Sequence, residues 1–242
     1  MKVALCFHGN VGYTEKLRGS NLGELEQLDL SEPILSIKNN LINHYNTDVF
    51  MHSWSIDRKE ELIKELKPKS YLFEKHKNFS KDFRDRKNAT LSRLYSIKKS
   101  NDLKKKYEKR NNFKYDVVVH TRFDLIWFTK VPLNQDFENK NIYFPNWNSS
   151  EGENDLGPYN KDNINIGKRV YETWFFTTSD ISDKYTKLYN NRRRLNYLCG
   201  KSWSPHKFFY LQAEVCNNFK VKNVLYRDYD YQLYRIYLKQ KK

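Results

Sequence analysis

Short apolar runs separated by helix-like patterns predict a sheet of alternating strands and helices. Strand-like runs occupy residues 2–7, 47–54, 70–74, 117–119, 141–145, 170–178 and 221–226. Apolar residues at three- and four-residue spacing mark helices from Ser31, over 57–66, as one or two helices over 80–110, from about Ser182, and over 205–217. A strand, helix, strand rhythm is typical of an α/β fold with a mostly parallel central sheet flanked by helices.

The run centred on Val118 is the best candidate for a central strand. It has three consecutive β-branched valines, and such uniform apolarity fits a strand covered on both faces. Directly after it come His120, Arg122 and Asp124. In open α/β sheets the ligand crevice lies outside the carboxyl ends of the strands, so we expect the functional site there. No internal repeat or linker divides the chain, which predicts one domain over residues 1–242.

The first strand runs into a glycine-containing loop. His8, Gly9, Asn10 and Gly12 end the strand, and about twenty residues then pass before the helix that begins at Ser31. Loops between strands and helices usually have up to about six residues, so the excess predicts a functional loop. Arg18 lies within this loop and is a candidate contact for an anionic donor.

Charge and cysteine content narrow the class of protein. Forty-four Lys and Arg against 29 Asp and Glu give a net charge of +15, which attracts anionic ligands or surfaces without choosing among them. The three cysteines are widely spaced and form no CxxC pair, so they predict neither a disulfide framework nor a zinc site. The chain has no apolar run of about 20 residues. We therefore expect a cytoplasmic protein without a transmembrane segment.

Four segments in order carry a resemblance to a known family. They are VALCFHG at 3–9, DVFMHSW at 48–54, LSRLYSIKKSNDL at 91–103 and YDVVVHTRFDL at 115–125. This order resembles GT-A-like glycosyltransferases of large DNA viruses and bacterial surface-polysaccharide clusters, and it spans most of the chain. The resemblance implies a Rossmann-like sheet, a nucleotide-sugar donor and a glycan or glycoprotein acceptor. A viral member of this family would act in the host cytoplasm.

The Arg-Phe-Asp motif ending at Asp124 takes the place of the family's DxD motif. The resemblance makes Asp124 a catalytic-site carboxylate and the candidate ligand of Mg²⁺ or Mn²⁺, which would neutralise charge on the departing nucleotide. Arg122, however, stands where a first carboxylate is expected. Its planar guanidinium group would bind a phosphate through two parallel hydrogen bonds or form an ion pair with Asp124. The need for a divalent cation is therefore open, and an internal ion pair between these two residues is the alternative.

Further donor-binding residues follow from the other matching segments. The resemblance implies that they are His8, Gly9, Asn10, His52, Trp54 and Tyr95, in addition to Arg18 and Arg122. A glycine would let the backbone approach the nucleotide closely, and an aromatic ring would stack on a base or sugar. The alternatives are an ordinary turn after the first strand and, for His52, Trp54 and Tyr95, a packed edge of the core.

Sugar transfer also needs a base to take the proton from the acceptor hydroxyl, and a carboxylate is well suited. The resemblance places Glu172 where related sequences carry an acidic residue before an apolar strand, so Glu172 is the candidate base or acceptor-binding residue. A salt bridge to a nearby basic group is the alternative. His206 begins a helix and is a candidate for the acceptor side, with a cap at the protein surface as the alternative.

The sequence thus favours a glycosyltransferase that moves a sugar from a nucleotide-diphosphate donor to a glycan or glycoprotein. A basic nucleic-acid-binding module is the rival, and it predicts steeply salt-dependent binding. No recognised nucleic-acid motif supports the rival, and the aromatic residues fall mainly in apolar strand runs, so we expect no specific nucleic-acid partner. A transferase fold that binds a partner without catalysis is a third alternative, because the first carboxylate is missing.

Overall fold

A seven-stranded sheet forms the centre of the computed structural model, which describes residues 1–12, 27–82, 85–138, 140–146 and 170–241. Its strands are β1 (Lys2–Gly9), β2 (Asn46–Ser53), β3 (Ser70–Phe73), β4 (Val117–Thr121), β6 (Asn141–Asn146), β7 (Trp174–Thr177) and β8 (Lys220–Tyr226). They lie in the order β3-β2-β1-β4-β7-β6-β8. A separate two-stranded sheet pairs β5 (Leu125–Trp127) with β9 (Tyr231–Leu233).

All neighbours in the large sheet run parallel except β7, which is antiparallel to both β4 and β6. The prediction of an α/β fold with a mostly parallel central sheet is confirmed, and this sheet is compatible with a Rossmann-like fold. The antiparallel β7 was not predicted, and it matters for the site. Since Trp174 at the start of β7 lies opposite Thr121 at the end of β4, the residues that precede β7 lie at the carboxyl edge of β4.

Seven α-helices accompany the strands in the described part of the chain. They are α1 (Ser31–Asn40), α2 (Lys59–Leu66), α3 (Arg86–Asn111), α4 (Ser179–Tyr185), α5 (Arg192–Leu198), α6 (Pro205–Leu211) and α7 (Tyr234–Gln240). Short 3₁₀ segments lie at Ile42–His44, Ile56–Arg58 and Thr186–Tyr189, and a π-helical turn lies at Gln212–Cys216. No helix among the described residues is long and apolar enough to cross a bilayer.

The segment predicted to be one helix or two is the single 26-residue helix α3. Asp85 caps its start, because its side chain accepts a hydrogen bond from the Asn88 backbone N–H at 2.5 Å. At its end Asn112 has φ 52°, the left-handed conformation that often stops helices. The helix thus extends without a break from the carboxyl edge of the sheet towards the start of β4.

Alternate residues of the central strands pack against opposite layers. Val117 and Val119 share a core with helices α1 and α2, whereas Val118 packs in a cluster that borders α3. All three valines are buried. The prediction that this strand is covered on both faces is therefore confirmed, because the two helical layers remove both faces from water.

A buried lysine joins α3 to α4 on the second of these faces. Lys104 is fully buried, and its Nζ donates to Glu108 Oε2 at 3.1 Å, Ser179 Oγ at 2.6 Å and Asp183 Oδ1 at 2.8 Å. These three bonds use all the donors of the ammonium group. A buried charge with complete hydrogen bonding is the arrangement that a folded protein tolerates.

Several boundaries differ from the sequence prediction. The strand expected over 170–178 is limited to Trp174–Thr177, with turn residues before it. The helix expected from about Ser182 begins at Ser179. The segment after residue 226, for which no element was predicted, forms β9 and α7. The three cysteines are free, with Cys6 and Cys199 buried, as expected of reduced thiols.

Candidate functional site

The polar ends of three parallel strands meet at one edge of the sheet. His8 lies opposite His52 in the pairing of β1 with β2, and Cys6 lies opposite His120 in the pairing of β1 with β4. Arg122 and Asp124 follow β4 directly, while Glu172 precedes the antiparallel β7. The structure thus gathers residues from distant parts of the sequence at the edge where ligands bind in open α/β sheets.

His8 is buried at this edge, and its Nε2 has no hydrogen-bond partner among the described residues. Burial lowers the pKa of His8 well below its usual value, and electrostatic repulsion from its neighbours His120, Arg93 and Arg122 lowers it further. His8 is therefore neutral at physiological pH. A neutral imidazole with an unused ring nitrogen can donate or accept a single hydrogen bond.

The two glycines after His8 have different surroundings. Both have positive φ, +98° at Gly9 and +94° at Gly12, and a Cβ at Gly9 would meet no atom within 4 Å. The Gly9 N–H donates to Ser96 Oγ at 2.7 Å. A Cβ on Gly12 would lie 3.0 Å from the Cβ and Oδ2 of Asp124. The position of a Cβ on Gly9 is therefore unobstructed, whereas Gly12 makes room for Asp124.

Arg122 and Asp124 form a two-pronged ion pair. The Arg122 Nε donates to Asp124 Oδ1 at 2.7 Å and the Arg122 Nη2 donates to Asp124 Oδ2 at 2.6 Å. Burial would lower the pKa of Arg122, but the charge and hydrogen bonds of Asp124 outweigh it and the pKa rises. Asp124 has no exposed surface. The internal pair, which the sequence left as an alternative, is thus present.

Glu172 is also paired. It is buried, and its carboxylate contacts Arg93 of α3 and His206 of α6. Burial would raise the pKa of Glu172, but the charges of His206 and Arg93 outweigh that effect and lower it to about 2. Glu172 is therefore a carboxylate at any physiological pH. The salt bridge expected as an alternative exists, and the role as a base stays a prediction.

Arg235 adds a third guanidinium group to the same edge. It is the second residue of α7, and its half-buried side chain has an Nε without a hydrogen-bond partner among the described residues. Burial lowers the pKa of Arg235, and repulsion from Arg122 and Arg93 contributes to the lowering. The three arginines against the carboxylates Asp124 and Glu172 leave one net positive charge.

The aromatic candidates lie on the side of β2. His52 Nδ1 is 2.6 Å from Ser96 Oγ and its Nε2 is 3.0 Å from Glu74 Oε1. Burial lowers the pKa of His52 to about 4. Trp54 is 6% exposed and stacks on Tyr95 with ring centroids 5.5 Å apart. These rings are used in packing, which matches the alternative of a core edge. Ligand stacking on them stays a prediction.

The side chains that the structure describes at this edge do not fit a divalent cation. In the described ranges no group of three or more His, Cys, Asp or Glu side chains is arranged to hold a metal ion. Asp124 is the predicted ligand, yet both its oxygens accept hydrogen bonds from Arg122. Positively charged neighbours also repel a divalent cation.

Two further predicted donor-binding residues are Asn10 and Arg18. Asn10 is half-buried next to Gly9, and Arg18 lies outside the described residues.

Sequence reasoning missed two of the three arginines. Arg93 lies within a segment that carried the resemblance, three residues before Ser96 on α3, so helical spacing could have placed it beside Ser96. Arg235 has no such signal, because its position depends on the pairing of β9 with β5. Comparison of the chain with protein-family models and with curated protein sequences finds no match.

Proposed function

We propose that this chain is a nucleotide-sugar-dependent glycosyltransferase of the GT-A-like type, acting on a glycan or glycoprotein acceptor. One observation carries the proposal: the positive charges of Arg93 and Arg122 act on both Arg235 and His8, which indicates that three arginines surround the carboxyl edge of β1 and β4. Crevices at this edge are where nucleotides bind in open α/β sheets. The four sequence segments that resemble glycosyltransferases supply β1, β2, α3 and β4 of this edge.

The chemistry of the leaving group explains why arginines suit such a site. In the transfer the acceptor oxygen bonds to the anomeric carbon of the sugar, the bond from that carbon to the β-phosphate oxygen breaks, and a nucleoside diphosphate leaves. Negative charge develops on the departing diphosphate. Guanidinium groups match phosphate oxygens with two parallel hydrogen bonds, and fixed charges aimed at developing charge lower the barrier.

Glu172 is the proposed base for the acceptor hydroxyl. With a pKa of about 2 it is a weak base while Arg93 and His206 hold it. A phosphate that attracts Arg93 would weaken the ion pair between Arg93 and Glu172 and so raise the pKa of Glu172. Donor binding would thereby prepare the base, a coupling that needs no residue beyond those at the site.

Thermal denaturation with UDP-, GDP-, CMP- and dTDP-sugars tests the proposal. A ligand at 100 times its dissociation constant stabilises a protein by about 2.7 kcal/mol, so we expect one class of nucleotide sugar to raise the midpoint by several degrees. Matched free sugars and sodium chloride of equal ionic strength serve as controls. An unchanged midpoint with every nucleotide, together with tight RNA binding, would overturn the proposal.

The rival function, binding of a nucleic acid, draws on a different surface. A groove of about 810 Å³ between α3 and the β3 edge is lined by the lysines Lys99, Lys105, Lys106, Lys109 and Lys114, together with the acidic residues Asp102 and Glu108. Such a surface attracts polyanions with an affinity that falls steeply with salt. Replacing Lys105 and Lys109 by Gln would weaken RNA binding under the rival and leave nucleotide-sugar binding unchanged under our proposal.

The third alternative, a binding protein with a transferase fold, would give the same thermal shifts without turnover. The structure is consistent with this alternative, because the carboxylates of Glu172 and Asp124 are both paired with basic side chains. Release of free nucleotide from a nucleotide sugar distinguishes a transferase from a binding protein, since a binding protein would not cleave the donor.

A further inference from the structure

Arg235 forms no ion pair with any carboxylate in the described part of the chain. Among the described residues no carboxylate lies within 4 Å of its guanidinium as an ion-pair partner, and its buried Nε makes no hydrogen bond. By contrast Arg93 is paired with Glu172 and Arg122 with Asp124. A half-buried guanidinium that is unpaired costs stability unless something outside the fold supplies its partner.

The backbone around Arg235 fixes it in this position. Leu233 of β9 lies opposite Leu125 of β5, and the Tyr234 N–H donates to the carbonyl oxygen of Asp124 at 3.0 Å. Arg235 is therefore attached, through its neighbour, to the residue that follows the central strand. This attachment fixes the backbone next to Arg235 near the end of β4, where the charges of Arg122 and Arg93 act on its side chain.

His8 gives a second, independent sign of a missing ligand. It is 2% exposed, and its Nε2 has no partner among the described residues. The same two arginines that act on Arg235 act on His8. Two buried nitrogen atoms in the same positive region, each without a hydrogen-bond partner among the described residues, indicate an anionic ligand with several acceptor oxygens.

We propose that Arg235, with Arg93 and Arg122, binds the diphosphate of the nucleotide sugar directly and takes the role that a divalent cation would have. This inference rests on the proposed function and adds how the donor is held. Asp124 is unsuited to coordinate a cation because both its oxygens are used by Arg122 and it is fully buried. The diphosphate carries two or more negative charges, which complement Arg235 and loosen the pairing of Arg93.

Isothermal titration with UDP, GDP, CDP and dTDP tests the inference. For the nucleotide that binds, we expect dissociation constants in 1 mM EDTA and in 1 mM Mn²⁺ that agree within about threefold. Arg235→Gln should weaken binding at least tenfold, and Arg235→Lys should give an intermediate value because it keeps the charge without the fork. Lys239→Gln, an exposed charge on the same helix, is the control and should bind as the parent protein does.

Further titrations separate this inference from the proposed function. Nucleotide binding that requires Mn²⁺, or that survives Arg235→Gln unchanged, overturns the inference while the transferase proposal stands. Binding of inorganic pyrophosphate that depends on Arg235, without binding of any nucleotide, supports the anion site and overturns the donor assignment. Failure of both ligands to bind overturns both. Thermal denaturation without ligand checks that each variant is folded.

Discussion

Gly12 is the residue at which backbone conformation and the site depend on each other most closely. Its φ is +94°, and an added Cβ would lie 2.9 Å from Leu28 Cδ1 and 3.0 Å from Asp124. Asp124 cannot move aside, because Arg122 holds both its oxygens. We therefore expect Gly12→Ala to lower the free energy of unfolding by about 3 kcal/mol, the sum of backbone strain and overpacking.

Gly9→Ala is the matched control for this change. Gly9 has a φ of +98°, but no atom lies within 4 Å of the position a Cβ would take. The two variants therefore share the backbone strain and differ in the clash, so Gly9→Ala should cost less in urea denaturation. Equal losses in the two variants would show that the contact with Asp124 is unimportant.

Glu172 carries the clearest prediction for catalysis. If it takes the proton of the attacking hydroxyl, Glu172→Gln should lower the rate of donor cleavage by 10² or more, in the usual range for a general base. Nucleotide affinity should stay within a few fold of the parent value. Glu60→Gln, at an exposed position, is the control. Cleavage at the parent rate in Glu172→Gln would remove Glu172 from the mechanism.

The sequence identified some of these residues and not others, for a physical reason. His8, Arg122 and Asp124 follow apolar strand runs, so their place at the carboxyl edge could be inferred from the order of residues alone. Arg235 could not be found in this way, since its position depends on a three-residue strand that is stable only when paired with β5. The pairing of Arg122 with Asp124 was anticipated as an alternative.

At the level of helices, the buried Lys104 makes α3 depend on α4. Lys104→Met should lower the free energy of unfolding by about 3–5 kcal/mol, because it leaves the buried carboxylate of Glu108 and that of Asp183 short of their partner. Lys105→Met is the matched control, since Lys105 is the next residue, is 44% exposed and lies 3.9 Å from the same Asp183. Guanidinium denaturation measures both, and equal effects would contradict the assignment.

Strands were predicted correctly where burial of both faces determines the apolar pattern. Strand direction was not predicted, because it depends on pairing with neighbouring strands. Runs such as Val117 to Val119 are apolar because both faces are covered. The direction of β7, in contrast, is not encoded in its own four residues, because any apolar strand can pair either way. That direction places Glu172 next to Arg122, so the site depends on topology that the local sequence does not specify.

The response of the folded protein to acid should reflect three buried histidines. Burial lowers the pKa of His52 to about 4 and of His120 to about 3, and it lowers that of His8 well below its usual value of 6.5. The unfolded chain binds protons at these positions below pH 6.5, whereas the native state does not. Stability is therefore complete above pH 6.5 and is lost as the pH falls towards 4.

The free energy of unfolding in urea at pH 7.5, 6.5 and 5.5 measures this effect. One group contributes up to about 1.4 kcal/mol per pH unit, so three groups approach about 4 kcal/mol per unit below pH 6. In His120→Gln the slope should be smaller by about one third. Constant stability from pH 7.5 to 5.5 would mean that these histidines take up protons in the native state over the same pH range as in the unfolded chain.

The most direct test of the transferase proposal is the release of nucleoside diphosphate from a nucleotide sugar with water as the acceptor. Water then supplies the oxygen that bonds to the anomeric carbon, so no knowledge of the natural acceptor is needed. We predict that one donor of the UDP, GDP and dTDP panel is cleaved faster than without protein, in EDTA, and that Arg235→Gln slows this cleavage at least tenfold. Release equal to the protein-free rate for every donor would contradict the account.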